Sequence, residues 1–504
     1  MRSISFVDAL PLCCVILSVS LAPSWEIDRD RSTPWVPEEQ GIGISGVEAR
    51  IDYHNALAEP TVTWAKAYGG NAGDDISCVR QTSDGGYIVV GETSSFGVGG
   101  IDVWVVKLDG SGNVVWQKTY GTTSDDYVYW ALELAAGGYM VAANTGGDVW
   151  VLRLRSDSSI LWQRRVGGWK GDWAYSLRQT RDGGYILAGG SWSFGAGKAD
   201  FWVVKLSPSG SVVWQKAYGG EAYDQALSVE LSLDGGYIVV GMTRSFGAGG
   251  WDGWILKLDS FGNVAWQRSL GGREDDALYS VAPSTDGGCI VAGRSRSFTA
   301  NRHWTLWLTR LGPTGNVVWQ RAYGGKAGVV DVSIAQSRQA DYLVATWLSG
   351  AGPRVLRLGD TGAIKWQKRY FGSIYATSFI AQTRDDGYVV GVDAYPDQSE
   401  DFGLLKLAPD GTMASSCSWL PQNTDMASWA IKASVASTAC RVISTTATVM
   451  TTGAGAVNSG ATTTDLCASS PAETFPGHGR PKWPRPRSHR DPAVLLLRQG
   501  AATS

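Results

Sequence analysis

Residues Asp102 to Gly121 read DVWVVKLDGSGNVVWQKTYG, and the phrase returns with small changes from Asp200 (DFWVVKLSPSGSVVWQKAYGG) and Asp252 (DGWILKLDSFGNVAWQRSLGG). The tryptophan of its WQK core recurs at Trp64, Trp116, Trp162, Trp214, Trp266, Trp319 and Trp366, in steps of 52, 46, 52, 52, 53 and 47 residues. Two more markers keep the same beat. DGGY stands at Asp84–Tyr87, Asp182–Tyr185 and Asp234–Tyr237, and weakens to AGGY, DGGC, ADY and DDGY elsewhere. A WVVKL-like strand ends at Leu108, Leu154, Leu206, Leu258, Leu311, Leu358 and Leu407. Self-similarity at such a period marks a solenoid or a propeller.

Each unit parses into four strands, A to D. In the first complete unit A is near Ile76–Gln81, B is Tyr87–Thr93, C is Val103–Leu108 and D is Val114–Tyr120. Aspartate followed by glycine between A and B suits a tight hairpin turn, and DGSGN does the same between C and D. YIVVG and VWVVKL are apolar on both pleat faces, which implies sheets covered on both sides. A four-stranded sheet packed on both sides is a propeller blade. The ends decide between a ring and an open array. Thr61–Gly70 is a D strand with nothing before it, and the last unit stops after strand C at Gly411. Pairing the two removes two raw sheet edges. The expected fold is all-β: a seven-bladed β-propeller over residues 61–411, closed by its N-terminal strand and expected to be a monomer. The tryptophan four residues after a turn glycine (Gly112 to Trp116, Gly210 to Trp214, Gly262 to Trp266) is assigned to packing between blades.

The 504 residues include 64 glycines and 24 tryptophans at a net charge of −3. That composition favours strands and tight turns and gives no global attraction to nucleic acid. Residues 1–22 carry Arg2, an apolar run from Ala9 to Leu21 and small residues at Ser20 and Ala22, the layout of a secretory signal peptide. The protein is therefore expected outside the cytoplasm, secreted, periplasmic or at the cell surface, with a linker over 23–60 and no membrane span. Residues 412–470 are rich in Ser, Thr and Ala and read as a stalk-like segment or a small β appendage. From Pro471 a Pro-rich tail with a basic run, Gly479–Arg490, is expected to be disordered. Cys78 and Cys289 read as small buried hydrophobes, whereas Cys417, Cys440 and Cys467 allow one disulfide and leave one thiol over.

The run YGG…DD…S…QTSDGGYIVVGETSSFG…DVWVVKLDGSGNVVWQK resembles the secreted β-propeller repeat proteins of bacteria and archaea, over about Thr61 to Gly411. That resemblance implies export or surface attachment and implies no known reaction. A weaker likeness to quinoprotein repeats rests on the glycine four residues before a tryptophan. Those enzymes are usually eight-bladed and use adjacent cysteines, which this ring lacks, so their quinone and calcium are not carried over. A kelch-like rhythm is also present, but here the double glycine precedes strand B.

Chemistry is sparse. Of four histidines only His303 falls within the repeats, which leaves little for a Ser-His-Asp or Cys-His arrangement or a histidine metal site. No phosphate-binding loop, dinucleotide fingerprint or EF-hand spacing is present. Carboxylates recur before strand A (Asp74 and Asp75, Asp125 and Asp126, Asp275 and Asp276) and before strand C (Asp102, Asp148, Asp200, Asp252, Asp401). Recurrence around a ring points to a structural task, since an acid–base pair needs two unlike environments. A ring of oxygen ligands for structural calcium is the alternative. The positions that differ between repeats are the informative ones. The D-to-A and B-to-C loops share one face, and the B-to-C loop shrinks in blades two and six. Aromatic residues stand beside these gaps: Trp192, Trp251, Trp304, Phe96, Phe194 and Phe246 are the candidate ligand contacts. The expected function is a non-enzymatic binding or scaffold module for an extracellular glycan or protein. A carbohydrate-active or quinoprotein-like enzyme using the same face is the alternative.

Overall fold

The computed structural model describes residues 63–299, 302–324, 328–349, 352–370, 374–395 and 400–413, and the backbone of seven short strands between 422 and 465. The expected signal peptide, the linker to residue 60, the tail from 471 and Cys417, Cys440 and Cys467 lie outside the described residues. The described chain is all strand and turn. Seven sheets form a ring of blades, and in each the strands run A-B-C-D from the axis outward. The ring closes as expected. Trp64–Gly69 is strand D of blade seven and pairs antiparallel with Asp401–Leu407, from Trp64↔Lys406 to Tyr68↔Phe402. Strands B and C are buried along nearly their whole length on both faces, as in Asp102–Leu108 and Tyr237–Thr243. Cys78 and Cys289 are free, buried thiols.

The repeated phrases are clamps. Every D strand carries a tryptophan, and in all blades but two, where Val166 and Leu270 stand instead, a tyrosine four residues on grips the C-to-D turn of the next blade. The Trp64 indole N–H donates to the Gly110 carbonyl at 3.3 Å, and the Tyr68 hydroxyl donates to the Gly112 carbonyl at 2.7 Å. Gly112 has φ of 76°, and a Cβ there would lie 2.9 Å from the Trp64 ring, so the turn needs glycine twice over. The same hydroxyl-to-turn bond recurs from Tyr120, Tyr218, Tyr323 and Tyr370 at 2.6–2.8 Å. The same tryptophan meets the tyrosine of the next DGGY, as in Trp64–Tyr87 at 5.7 Å and Trp214–Tyr237 at 6.0 Å. The DGGY aspartate holds the strand C lysine: Lys107–Asp84, Lys205–Asp182 and Lys257–Asp234 lie at 2.7–2.9 Å. Blade two has no such aspartate. There Arg153 replaces lysine and donates to the carbonyls of Leu154 and Gly137 instead.

The Ser/Thr/Ala-rich segment forms a strap. Gln422–Asn423, Ala427–Ala430, Ser434–Ala436, Arg441–Ser444, Thr448–Met450, Gly455–Asn458 and Thr462–Asp465 each add a short fifth strand to the outer edge of one blade. They visit blades six, five, four, three, two, one and seven in that order. From Ala427 each strap strand starts seven residues after the last, and each period closes on a small residue: Ala433, Cys440, Ala447, Ala454, Ala461 and Ala468. One period thus advances one blade. Pairing covers the upper half of the D edges, which would otherwise be open templates for other chains.

Candidate functional site

Strand A of every blade lines the axis, and each carries a β-bulge. In blades one to five the unpaired bulge residue is Ser77, Tyr129, Tyr175, Leu227 or Tyr279. A bulge re-aims the side chain it frees. All five line a central cavity of about 500 Å³, to which strand A of blades six and seven also contributes, through Asp331 and Phe379 among others. Strand A is less alike from blade to blade than strands B and C, and its bulge position holds tyrosine in three blades, serine in one and leucine in one.

The cavity is polarised along its length. Strands A enter from the long-loop face, so Asp75 stands at the mouth and Arg80, five residues on, stands near the opposite end. Asp75 faces Glu92 across the strand pair, and carboxylate oxygens of Asp75, Asp393 and Glu400 lie within 4.8 Å of one another. The middle is aromatic: Tyr129 and Tyr175 meet edge to face at 4.7 Å, and Gln225 donates to the Tyr175 hydroxyl at 2.9 Å. Deep in the channel the Arg80 guanidinium lies over Trp130 at 4.7 Å and Phe379 at 4.3 Å, and Arg178 also lies over the Trp130 ring at 4.0 Å. Arg178 is also ion-paired to Glu230. Burial lowers the pKa of Arg80 and the charge of Arg178 adds to that, against Cys78 and the Glu230 carboxylate, which raise it; guanidinium stays protonated, so the floor holds a partly desolvated cation.

The structure places the loop aromatics in two groups. Phe96, Phe194 and Phe246 are half-buried and lie against the strand C tryptophans of their own blades, at 5.5 Å from Trp104, 5.7 Å from Trp202 and 5.0 Å from Trp254. Trp251 is buried beside Met242 and Ala277 with Tyr279 packed on the cluster, and Arg244 lies over its ring at 4.5 Å. Trp304 is half-buried under Arg294, whose other side faces Tyr279, at 4.3 and 5.2 Å. Trp251 and Trp304 therefore flank a cavity-lining tyrosine, while Trp192 packs edge to face on Trp173 at 5.1 Å. Among the described residues the most exposed large hydrophobic is Trp169, which is not one of the expected contacts; it is 79% exposed, in the D-to-A loop beside Lys170. Its signal was available, because no other repeat has tryptophan at that place. His303 is an exposed loop residue.

The recurring aspartates hold loops. Asp74 accepts from the Gly70 N–H at 2.8 Å and from the Ser95 hydroxyl at 2.9 Å, and Asp102 accepts from the N–H groups of Val98 and Gly99 at 3.1 Å. The two rings meet between blades, where Asp200 approaches Asp224 and Asp252 approaches Asp276 across a glycine that leaves no room for a Cβ. Burial, with the neighbouring carboxylate adding to it, pushes Asp200 and Asp252 up to about 6. Among the described residues no helix is long and apolar enough to cross a membrane.

A scan against protein-family models finds none that matches, and a search of curated proteins finds no similar one. Solved structures with a similar course of chain include BBS1N in complex with ARL6DN, at 10% identity and a TM-score of 0.43 over 70% of this chain and 99% of that one. Sqt1 from Chaetomium thermophilum is similar at 11% identity and a TM-score of 0.43, over 68% of this chain and 98% of that one.

Proposed function

We propose that the protein is an exported, non-enzymatic binding module that takes a glycan or protein partner at its long-loop face and in the cavity behind it. One observation carries the reading. The bulges aim three tyrosines, Tyr129, Tyr175 and Tyr279, together with Ser77 and Leu227, into one shared space, while the residues that hold the ring recur around it. A rigid ring with aromatic side chains around a concave centre supplies contact area at low entropic cost. Trp169 and Trp304 extend that surface to the rim, and Phe96, Phe194, Phe246, Trp192 and Trp251 support it. The N-terminal signal pattern and the resemblance to exported propeller repeat proteins support the location.

The test is a glycan and peptide binding screen on the purified full chain. A ligand should be found whose affinity falls at least about tenfold in the pair Trp169→Ala and Trp304→Ala, with an unchanged melt. Turnover of any screened compound, abolished by Glu92→Gln, would overturn the reading in favour of an enzyme. Fractionation with N-terminal sequencing checks the location, and a cytosolic chain retaining Met1 would contradict it.

A further inference from the structure

We infer that the central cavity receives the free C terminus of a short peptide, with its carboxylate against Arg80 and its amino end at the acidic mouth. The inference rests on the binding-module reading and names the ligand class. The Arg80 guanidinium packs on Trp130 at 4.7 Å and on Phe379 at 4.3 Å, and the two rings meet at 83° with their centroids 5.6 Å apart. The donor edge of a guanidinium fork is where a carboxylate docks with two parallel hydrogen bonds. The neighbouring cation is already matched, since Arg178 pairs with Glu230. The same Glu230 carboxylate also acts on Arg80, so two guanidinium groups share one carboxylate at the channel floor. An excess positive charge in a half-buried place is costly, and a bound carboxylate offsets that cost.

Shape and charge narrow the class. The five residues from Asp75 to Arg80 span ~15 Å of strand. A cavity of about 500 Å³ drawn out over that length is roughly 6 Å wide, which suits an extended chain with small side chains. Three to four residues bridge that span. The hydroxyl-bearing rings of Tyr129, Tyr175 and Tyr279 line the middle, where peptide groups would lie. Asp75 and Glu92 at the mouth attract an ammonium group and repel a polyanion, so the pattern fits one negative charge inward and one positive charge outward.

The experiment is calorimetry on the full chain at low salt with tetraglycine, its C-terminal amide and its N-acetyl form. The amide should bind about tenfold more weakly and the N-acetyl form about threefold more weakly. Arg80→Gln should weaken tetraglycine about tenfold and erase the difference between acid and amide, while Arg80→Lys falls between. Should Arg80→Gln not fold, the acid-against-amide comparison on the unaltered chain decides. Equal binding of acid and amide, or no binding of tetraglycine at millimolar concentration, overturns the proposal. Arg80-dependent binding of glucuronate without tetraglycine binding overturns the peptide class alone. The binding-module reading fails separately, on the loss of sensitivity to Trp169→Ala and Trp304→Ala.

Discussion

Strand C and strand A of the same blades behave in opposite ways. Strand C carries the same residue in five of them, Trp104, Trp150, Trp202, Trp254 and Trp307, and all are fully buried. The strand A bulge carries serine, two tyrosines, leucine and a further tyrosine at Ser77, Tyr129, Tyr175, Leu227 and Tyr279, all facing one cavity. The difference follows from where each position looks. A strand C tryptophan packs on its own blade and the one before it, as Trp104 does on Phe96 and Phe402, so like neighbourhoods call for like residues. The bulge residues all look into a single space, which three tyrosines share with a serine and a leucine. Sameness in this ring marks packing, and difference marks the shared centre.

The closing strand is the severest test of the packing half of that contrast. Deleting residues 61–70 leaves blade seven without strand D and removes the Trp64 and Tyr68 clamps on blade one. The melting midpoint should fall by more than about 10 °C with aggregation on heating, and an unchanged melt would refute closure. Ending the chain after Met413 removes the strap and bares the upper D edges. That should cost a smaller ~5 °C and raise the aggregation rate, seen by light scattering, while a full-length-like melt and solubility would show that the strap carries no load.

Acidity should act in the opposite direction to the usual one near neutrality. Asp200 and Asp252, raised to about 6, contribute stability that is complete below about 3.8 and is lost as pH rises through 6. Asp84, Asp182 and Asp234 are held near 2: burial alone would raise them, but hydrogen bonds from Thr82, Thr180, Lys107, Lys205 and Lys257 outweigh it. Their contribution is present above 3.8 and is lost as pH falls toward 2. The midpoint should therefore rise by a few degrees from pH 7.5 to pH 5 and fall again below pH 4. Scanning calorimetry across that range checks it, and replacing Asp200 and Asp252 by Asn should flatten the upper limb.

The ring was legible because it is written seven times. Closure followed from the orphan strand at Thr61 and the missing one after Gly411, and the register Trp64↔Lys406 is the pairing those ends required. The cavity was harder to read. Alternation along DDISCVRQ places residues on two faces, but the bulge at Ser77 breaks the period of two and turns Ser77 toward the axis. Comparing repeats in strand A as well as in the loops would have singled out the bulge positions and Arg80, Arg178 and Glu230, which stand in blades one, three and four where blade two has Leu132. The strap was hidden by its composition. Serine, threonine and alanine suggest a stalk, and only the seven-residue spacing of small residues from Ala433 to Ala468 betrays one step per blade.

The central contrast is tested most directly by measuring the melts of Trp254→Ala and Tyr129→Ala side by side, in one buffer, by scanning calorimetry. Trp254 is fully buried, and truncating it should cost about 3–5 kcal/mol. Tyr129 is half-buried on the cavity wall, and truncating it should cost under about 1 kcal/mol. If Tyr129→Ala destabilises the ring as much as Trp254→Ala, the diverged residues are packing core and the cavity is not a site.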